Sequence, residues 1–256
     1  MNKNQIALTL YTLRKYCRNE ADLKSTLIRV KDIGYRAIQI SGVGVMSPEI
    51  IRRIAEDVGL IICATHEPAE QILNQPKDVV KRLNQLGCIH TAFPFPQGYN
   101  LDSKEVCLEL ARKLDHSGQV LRQSGKILSY HNHDLEFVRY GNQSILEIIF
   151  NNTNPLHVQG ELDTFWVQKG GEDPVTWCQK LKGRMPLLHL KDYVVTLDRE
   201  VQFGEIGAGN LNWKRIIAEA DEGGCEWFIV EQDTCTNDPF DSIRISYEYL
   251  IKMASL

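Results

Sequence analysis

Residues 126–137 read KILSYHNHDLEF, a short apolar run that passes directly into a cluster of polar side chains. The run KILSY (126–130) has the length and apolar character of a buried β-strand. Because side chains alternate between the two faces of an extended chain, His131 and His133 are predicted to point to the same side. The stretch therefore predicts a strand whose C-terminal end presents two imidazoles to one common site.

Similar apolar runs recur along the whole chain and alternate with segments of helical pattern. Leu23, Leu27 and Val30 show the helical spacing, and Ser47-Pro48 and Asp173-Pro174 place a capping side chain before a first-turn proline. Such alternation of strands and helices predicts a parallel sheet. The eight predicted strands are IALTL (6–10), AIQI (37–40), LIICA (60–64), IHTAF (89–93), KILSY (126–130), LHVQGEL (156–162), LLHL (187–190) and WFIV (227–230).

A doubly wound sheet is the structural alternative for this alternation. That fold more often carries a glycine fingerprint after its first strand. Here the first predicted strand leads into YTLRKYCRN (11–19), and no linker-like or low-complexity tract divides the chain. Length and rhythm therefore favour a single α/β domain, a (β/α)8 TIM barrel that spans residues 1–256.

Composition and charge narrow the class of protein further. The formal net charge is −4, and the chain shows no basic block of the kind that binds nucleic acid. Its seven cysteines are odd in number and never spaced as CxxC, which disfavours a disulfide framework and a zinc ribbon. We find no signal-peptide pattern and no run approaching the roughly 20 apolar residues of a membrane span. The sequence thus predicts a soluble cytoplasmic protein with neither a nucleic-acid nor a membrane partner.

Polar residues collect at the ends of the last four predicted strands. They form pairs spaced i, i+2: His131 and His133, Glu161 and Asp163, His189 and Lys191, Glu231 and Asp233. Active sites of TIM barrels lie at the C-terminal ends of the strands, so these pairs are predicted to converge. Buried carboxylates lose hydration and repel one another, whereas one divalent metal ion (Mn, Co, Mg or Zn) would stabilise them together with neutral imidazoles. A structural network of ion pairs is the alternative interpretation.

Five motifs carry a resemblance to a known family. They are YHNHDLEF (130–137), ELDTFW (161–166), HLKD (189–192), FGEIGAGNLNW (203–213) and VEQD (230–233). In this order they resemble the sugar phosphate isomerase/epimerase family with its xylose isomerase-like TIM barrel, and LTLYTLR (8–14) and CATHE (63–67) fit its first half. The resemblance implies a divalent-metal-dependent isomerase or epimerase of a sugar, sugar phosphate or keto-sugar that works through an enediolate.

The resemblance also implies which residues hold the metal. Members of the family use a strand-five glutamate, the aspartate of DTF, the histidine of HLKD and a strand-eight glutamate. The last three correspond here to Asp163, His189 and Glu231. At strand five the sequence departs from the family, because His131 aligns with the glutamate and Glu136 follows five residues later. We predict Glu136 as the fourth ligand.

Catalytic and substrate-binding residues follow from the same resemblance. The predicted catalytic residues are Glu231, Glu136, His133 and Lys191. The predicted substrate-binding residues are His66, His131, Trp166, Tyr11 and Glu161. Gln39 ends strand two, where relatives often carry a glutamate, and we assign it no role.

Other activities and partners stay open at this point. The same enediolate can lose a β-hydroxyl group, so a dehydratase or lyase of the inosose dehydratase type is the nearest alternative. A non-catalytic sugar-binding barrel is more remote, as is an abasic-site endonuclease, since DTFW (163–166) lacks the extra histidine that its metal site needs. Beside a small sugar or keto-sugar, we expect a second copy of the chain as partner, because the segment FPFPQGY (93–99) is apolar.

Overall fold

Eight parallel strands close into a barrel in a computed structural model that describes residues 1–254. The strands in chain order are β1 (Ile6–Thr9), β2 (Ala37–Ile40), β3 (Ile61–His66), β4 (His90–Phe93), β5 (Ile127–His131), β6 (Arg139–Tyr140), β7 (Gln143–Ser144), β8 (Val158–Asp163), β9 (Leu187–Leu190), β10 (Asp192–Val195), β11 (Val201–Gly204) and β12 (Trp227–Val230). Strands β6 and β7 pair as one hairpin, β10 and β11 pair as another, and the other eight form the barrel, in which β12 pairs with β1. The predicted (β/α)8 TIM barrel and its eight strands are confirmed.

Helices cover the outside of the barrel and follow the predicted pattern. They are α1 (Glu20–Ile33), α2 (Pro48–Val58), α3 (Ala69–Asn74), α4 (Pro76–Leu86), α5 (Lys104–Gln123), α6 (Ile145–Asn151), α7 (Thr164–Lys169), α8 (Pro174–Lys180), α9 (Trp213–Glu222) and α10 (Pro239–Ala254). Ser47 and Asp173 accept hydrogen bonds from first-turn amides of α2 and α8, so both predicted caps form. Across residues 1–254, none of these helices is both long and apolar enough to cross a bilayer.

The interior of the barrel changes from apolar to polar toward the C-terminal ends of the strands. Ala37, Leu187 and Ile229 belong to a buried apolar cluster toward the N-terminal ends of the strands. Two residues further along the same strands come Gln39, His189 and Glu231. Because side chains alternate along a strand, these polar groups point inward in the next layer of the barrel. The polar cluster therefore rests on an apolar floor and faces the C-terminal mouth.

Gly118 lets helix α5 pack directly against the chain that leads into β8. A Cβ atom at this position would lie 2.1 Å from the backbone oxygen of His157. We expect Gly118→Ala to lower the free energy of unfolding by about 1–3 kcal/mol, because the overlap outweighs the better helix propensity of alanine. Urea denaturation measures the change, with the exposed Gln123→Ala in the same helix as control. Equal stability of both variants would contradict this packing.

Candidate active site

Four side chains from four neighbouring barrel strands meet above the apolar floor. They are His131 at the end of β5, Asp163 at the end of β8, His189 in β9 and Glu231 directly after β12. Each offers one possible ligand atom, and these four atoms lie within 4.8 Å of one another. All four residues are buried. The strand ends thus bring two imidazoles and two carboxylates to one point.

Glu161 is a fully buried carboxylate surrounded by imidazoles. Its Oε1 lies 3.2 Å from His189 Nε2 and 3.3 Å from His131 Nδ1, and it also bonds His66 Nε2. Burial opposes ionisation, but His189 and His66 outweigh it and hold the pKa of Glu161 well below its usual value. Glu161 is therefore an anion that orients three histidines of the site.

Gln39 connects Glu161 to His189, a contact that no local sequence pattern predicted. Its Nε2 donates to Glu161 Oε2 at 2.7 Å, and its Oε1 lies 2.8 Å from His189 Nε2. The other ring nitrogen of His189, Nδ1, lies 2.8 Å from Glu231 Oε2. Burial opposes protonation of His189, but the carboxylates of Glu161 and Glu231 raise its pKa to about 9. The imidazole is thus fixed at both nitrogens.

Lys191 places its ammonium group among three carboxylates. Its Nζ lies 2.9 Å from Asp163 Oδ2, 2.8 Å from Glu231 Oε2 and 3.3 Å from Asp233 Oδ1. Burial favours the neutral amine, but the three carboxylates outweigh it and raise the pKa of Lys191. Burial raises the pKa of Asp163 to about 6, although the positive charge of Lys191 opposes this. For Glu231 the charges of Lys191 and His189 outweigh burial and hold the pKa well below its usual value. The lysine is therefore a buried counter-ion of the cluster.

A cavity of about 580 Å³ opens at the mouth of the barrel above these residues. Its volume lies within the range of small-molecule sites. The predicted residues that line it are Tyr11, His66, His131, His133, Trp166, Lys191 and Glu231. Ser41 and Phe95, which no motif predicted as site residues, also line it, as does Asp233, whose i, i+2 spacing after Glu231 predicted that it converges here. Asp163, His189 and Glu161 are fully buried and do not line the cavity.

Aromatic rings enclose His133 on one wall of the cavity. The ring centroids of Phe95 and Trp166 lie 5.2 and 5.3 Å from that of His133. Burial, helped by the positive charge of Lys191, lowers the pKa of His133 to about 4, so its imidazole is neutral. The indole Nε1 of Trp166 is buried and has no hydrogen-bond partner among the described residues. The wall thus offers a flat apolar surface to the cavity.

Glu136 lies apart from this group of donors. Its carboxylate accepts hydrogen bonds of 2.8 Å from the hydroxyl of Tyr130 and from the backbone N–H of His133. Tyr130 precedes His131 and so points to the opposite face of β5. Burial raises the pKa of Glu136, although both hydrogen bonds oppose this. The predicted swing of Glu136 toward Asp163, His189 and Glu231 does not occur, and His131 stands with them instead.

The donor set fits a divalent cation of the Mn, Co, Mg or Zn type. Two imidazole nitrogens and two carboxylates are common ligands of such ions. Asn132 accepts a hydrogen bond from the Asp163 amide, and Asp163 Oδ1 accepts one from the Trp166 amide, so the Oδ2 atom is left to face a cation. His131 Nδ1 is buried without a hydrogen bond of good geometry. Asp163 Oδ2 is thus turned toward the cluster, whereas His131 Nδ1 faces Glu161 Oε1 at 3.3 Å.

The fold agrees with a comparison against protein families. A family model described as a xylose isomerase-like TIM barrel matches residues 27–253. The chain belongs to the xylose isomerase-like TIM barrel family. The family resemblance inferred from the five motifs is therefore confirmed. Proteins of similar sequence or fold include isomerases, epimerases and dehydratases.

A curated protein of similar sequence is a dehydratase by name. Inosose dehydratase 1 of Bacillus cereus is 27% identical over 175 residues, which cover 60% of this chain and 57% of that enzyme. The chain thus matches less than two thirds of the length of this relative.

Solved structures of similar fold extend over nearly the whole chain. A sugar phosphate isomerase/epimerase from Parabacteroides distasonis ATCC 8503 has a TM-score of 0.83 at 21% identity and covers 98% of this chain and 94% of its own. A xylose isomerase-like TIM barrel protein from Mycobacterium smegmatis, solved in complex with magnesium, has a TM-score of 0.78 at 15% identity. The match covers 100% of this chain and 99% of that protein. At such identities the likeness establishes the fold.

Proposed function

We propose that the chain is a divalent-metal-dependent isomerase or epimerase of a sugar or keto-sugar that works through an enediolate. The observation that carries the proposal is the group of four donors from four strands at the base of a cavity of about 580 Å³. A catalytic metal site must be open to substrate, whereas a structural metal site is closed. Here Glu231 and His131 both line the cavity. A substrate in the cavity would therefore contact the group directly.

The proposed metal ligands are His131, Asp163, His189 and Glu231. A cation bound there would act as a Lewis acid on a substrate carbonyl and stabilise the enediolate. Gln39 and Glu161 orient His189, and Asn132 holds the backbone of Asp163. Such supporting contacts set the orientation of ligands and are typical of metal sites.

Proton transfer is assigned to side chains that reach the cavity. Glu231 lines the cavity as an ionised carboxylate and can accept a proton from the carbon next to the carbonyl. His133 is neutral and lines the cavity between Phe95 and Trp166, where it can return or relay a proton. Trp166 lines the cavity and offers its ring to a sugar face.

The charges around the cavity favour a neutral sugar over a sugar phosphate. Within residues 1–254, Lys191 is the only lysine or arginine that lines it, and its ammonium already contacts three carboxylates. A phosphate group would lack a free cation and would approach Glu231 and Asp233. Phosphate recognition ordinarily uses arginine or lysine donors or a helix N-terminus.

A dehydratase of the inosose dehydratase type is the second candidate. The imidazole of His133 at the cavity wall is neutral, so it must first accept a proton from the substrate. It can then donate that proton to a departing hydroxyl group or return it to carbon, so the same residue serves elimination and epimerisation. The matched relative from Bacillus cereus bears that name. Incubation with Mn²⁺ and a panel of neutral ketoses and keto-inositols, followed by NMR, distinguishes the two. An epimer or isomer supports the first candidate, a dehydrated product supports the second, and no product from the panel argues against both.

Variants at strand β5 test which residue completes the ligand set. We expect His131→Ala to weaken Mn²⁺ binding by more than about 100-fold, because losing a ligand costs more than losing a supporting contact. Glu136→Gln is expected to leave affinity nearly unchanged, since its carboxylate is held by Tyr130 and the His133 amide. Isothermal titration calorimetry measures both. The reverse order of effects would restore Glu136 as the ligand.

A further inference from the structure

We propose that Lys191 is an internal cation that competes with the metal for the carboxylates of Asp163 and Glu231. When a divalent cation binds, the ammonium group moves away from these two carboxylates and keeps its contact with Asp233. The inference concerns regulation of the site described above and rests on the proposed metal-dependent function.

The ammonium group of Lys191 stands where a metal ion would need to be. Its Nζ lies 2.9 Å from Asp163 Oδ2 and 2.8 Å from Glu231 Oε2, so one oxygen of each proposed ligand faces it. Divalent cations bind carboxylate oxygens at about 2.0–2.2 Å. An ammonium group and a metal ion cannot both sit between the same two oxygens, since they would be in contact and repel each other. Metal binding therefore requires Lys191 to leave.

Asp233 gives the displaced ammonium a place to go. Both of its carboxylate oxygens lie 3.3 Å from Lys191 Nζ, and the residue lines the cavity outside the four-donor group. Lys191 Nζ lies 5.4 Å from the ring centroid of Trp166 and 5.7 Å from that of Phe203, within the range of cation–π attraction. The lysine stem is long and flexible, so a shift toward the mouth keeps the charge stabilised.

This exchange explains how the site can exist with and without metal. With Lys191 in place, the buried carboxylates of Asp163 and Glu231 are compensated by a charge that belongs to the chain. The same contact lowers the apparent metal affinity, because only molecules in which the ammonium has moved are competent to bind. Lys191 thus sets the metal concentration at which the site fills.

Removing the ammonium group tests the competition. We expect Lys191→Met to bind Mn²⁺ at least about tenfold more tightly than the wild type in calorimetric titrations, as the competing state is lost. Lys169→Met is the matched control: Lys169 lies 4.7 Å above the Trp166 ring but pairs with Asp134. The Mn²⁺ affinity of Lys169→Met should stay within about threefold of the wild type, since Lys169 does not contact the proposed ligands. Unchanged or weaker binding by Lys191→Met would overturn the proposal.

A measurement on the wild-type chain covers the case in which Lys191→Met does not fold without metal. Reductive methylation followed by mass spectrometry should leave Lys191 unmodified in metal-free protein and modify it once Mn²⁺ is added, with Lys169 modified equally in both. Protection of Lys191 that does not change with Mn²⁺ would contradict the proposed movement.

The titrations also separate this proposal from the proposed function. If the wild type binds no Mn²⁺ while Lys191→Met binds it, the competition is supported and the metal-dependent function is refuted. If the wild type is an active metal enzyme and Lys191→Met binds metal no more tightly, only the role of Lys191 is refuted.

Discussion

Glu231→Gln is expected to slow solvent deuterium exchange at the carbon next to the substrate carbonyl by about 10²- to 10⁴-fold, the usual contribution of a general base. Glu231 lines the cavity and is held as a carboxylate, whereas an amide cannot accept the proton. The rate is measured by NMR in D₂O with Mn²⁺ saturating for each protein, so that weaker metal binding does not account for the loss.

The matched control for this variant lies at the opposite end of the same strand. Glu226 immediately precedes β12, and its carboxylate lies 3.1 Å from His90 Nε2. Glu226→Gln should keep the wild-type exchange rate, since it removes a carboxylate far from the cavity mouth. Exchange by Glu231→Gln at the wild-type rate would assign the base to another residue.

Asp163→Ala is expected to weaken metal binding by more than about 100-fold, beyond the 10- to 100-fold effect of losing a supporting contact. The substitution removes one of two carboxylates in the donor group and leaves Lys191 to pair with Glu231 and Asp233. Elemental analysis of protein purified without chelator measures the metal content, and the exposed Asp198→Ala serves as control. Retention of more than half of the wild-type metal by Asp163→Ala would contradict the ligand assignment.

The barrel could be predicted from sequence because its signals are local. Runs such as AIQI, LLHL and WFIV coincide with β2, β9 and β12. The i, i+2 pairs placed Asp163, His189 and Glu231 at strand ends, and closure of the parallel sheet brings such ends together. Periodicity and position along a strand therefore predicted the fold and which strand ends converge.

The misplaced and missed residues depend on contacts that no local pattern contains. Glu136 is near His131 in sequence, but its carboxylate is satisfied by Tyr130 on the opposite face of β5. Gln39 bridges Glu161 and His189, which come from strands β8 and β9 and lie 122 and 150 residues away in the chain. Such long-range pairings become visible only when the barrel is closed.

The apolar segment FPFPQGY (93–99) illustrates the same limit. Phe93 is fully buried, and Phe95 is 46% exposed and lines the cavity beside His133. The apolar side chains that suggested a pairing surface thus contribute to the core and to the site. Pairing of two chains stays a prediction, which light scattering at micromolar concentration can test.

Deuterium exchange by the wild-type protein with and without metal tests the metal-dependent enediolate chemistry most directly. Neutral ketoses and keto-inositols are incubated in D₂O with Mn²⁺-loaded protein, with protein stripped by chelator, and with stripped protein after Mn²⁺ is restored. We expect deuterium to enter the carbon next to the carbonyl with the loaded protein, to stop after stripping and to resume on restoration. Exchange that continues unchanged after stripping, or a loaded protein that exchanges no sugar of the panel, would contradict the proposed function.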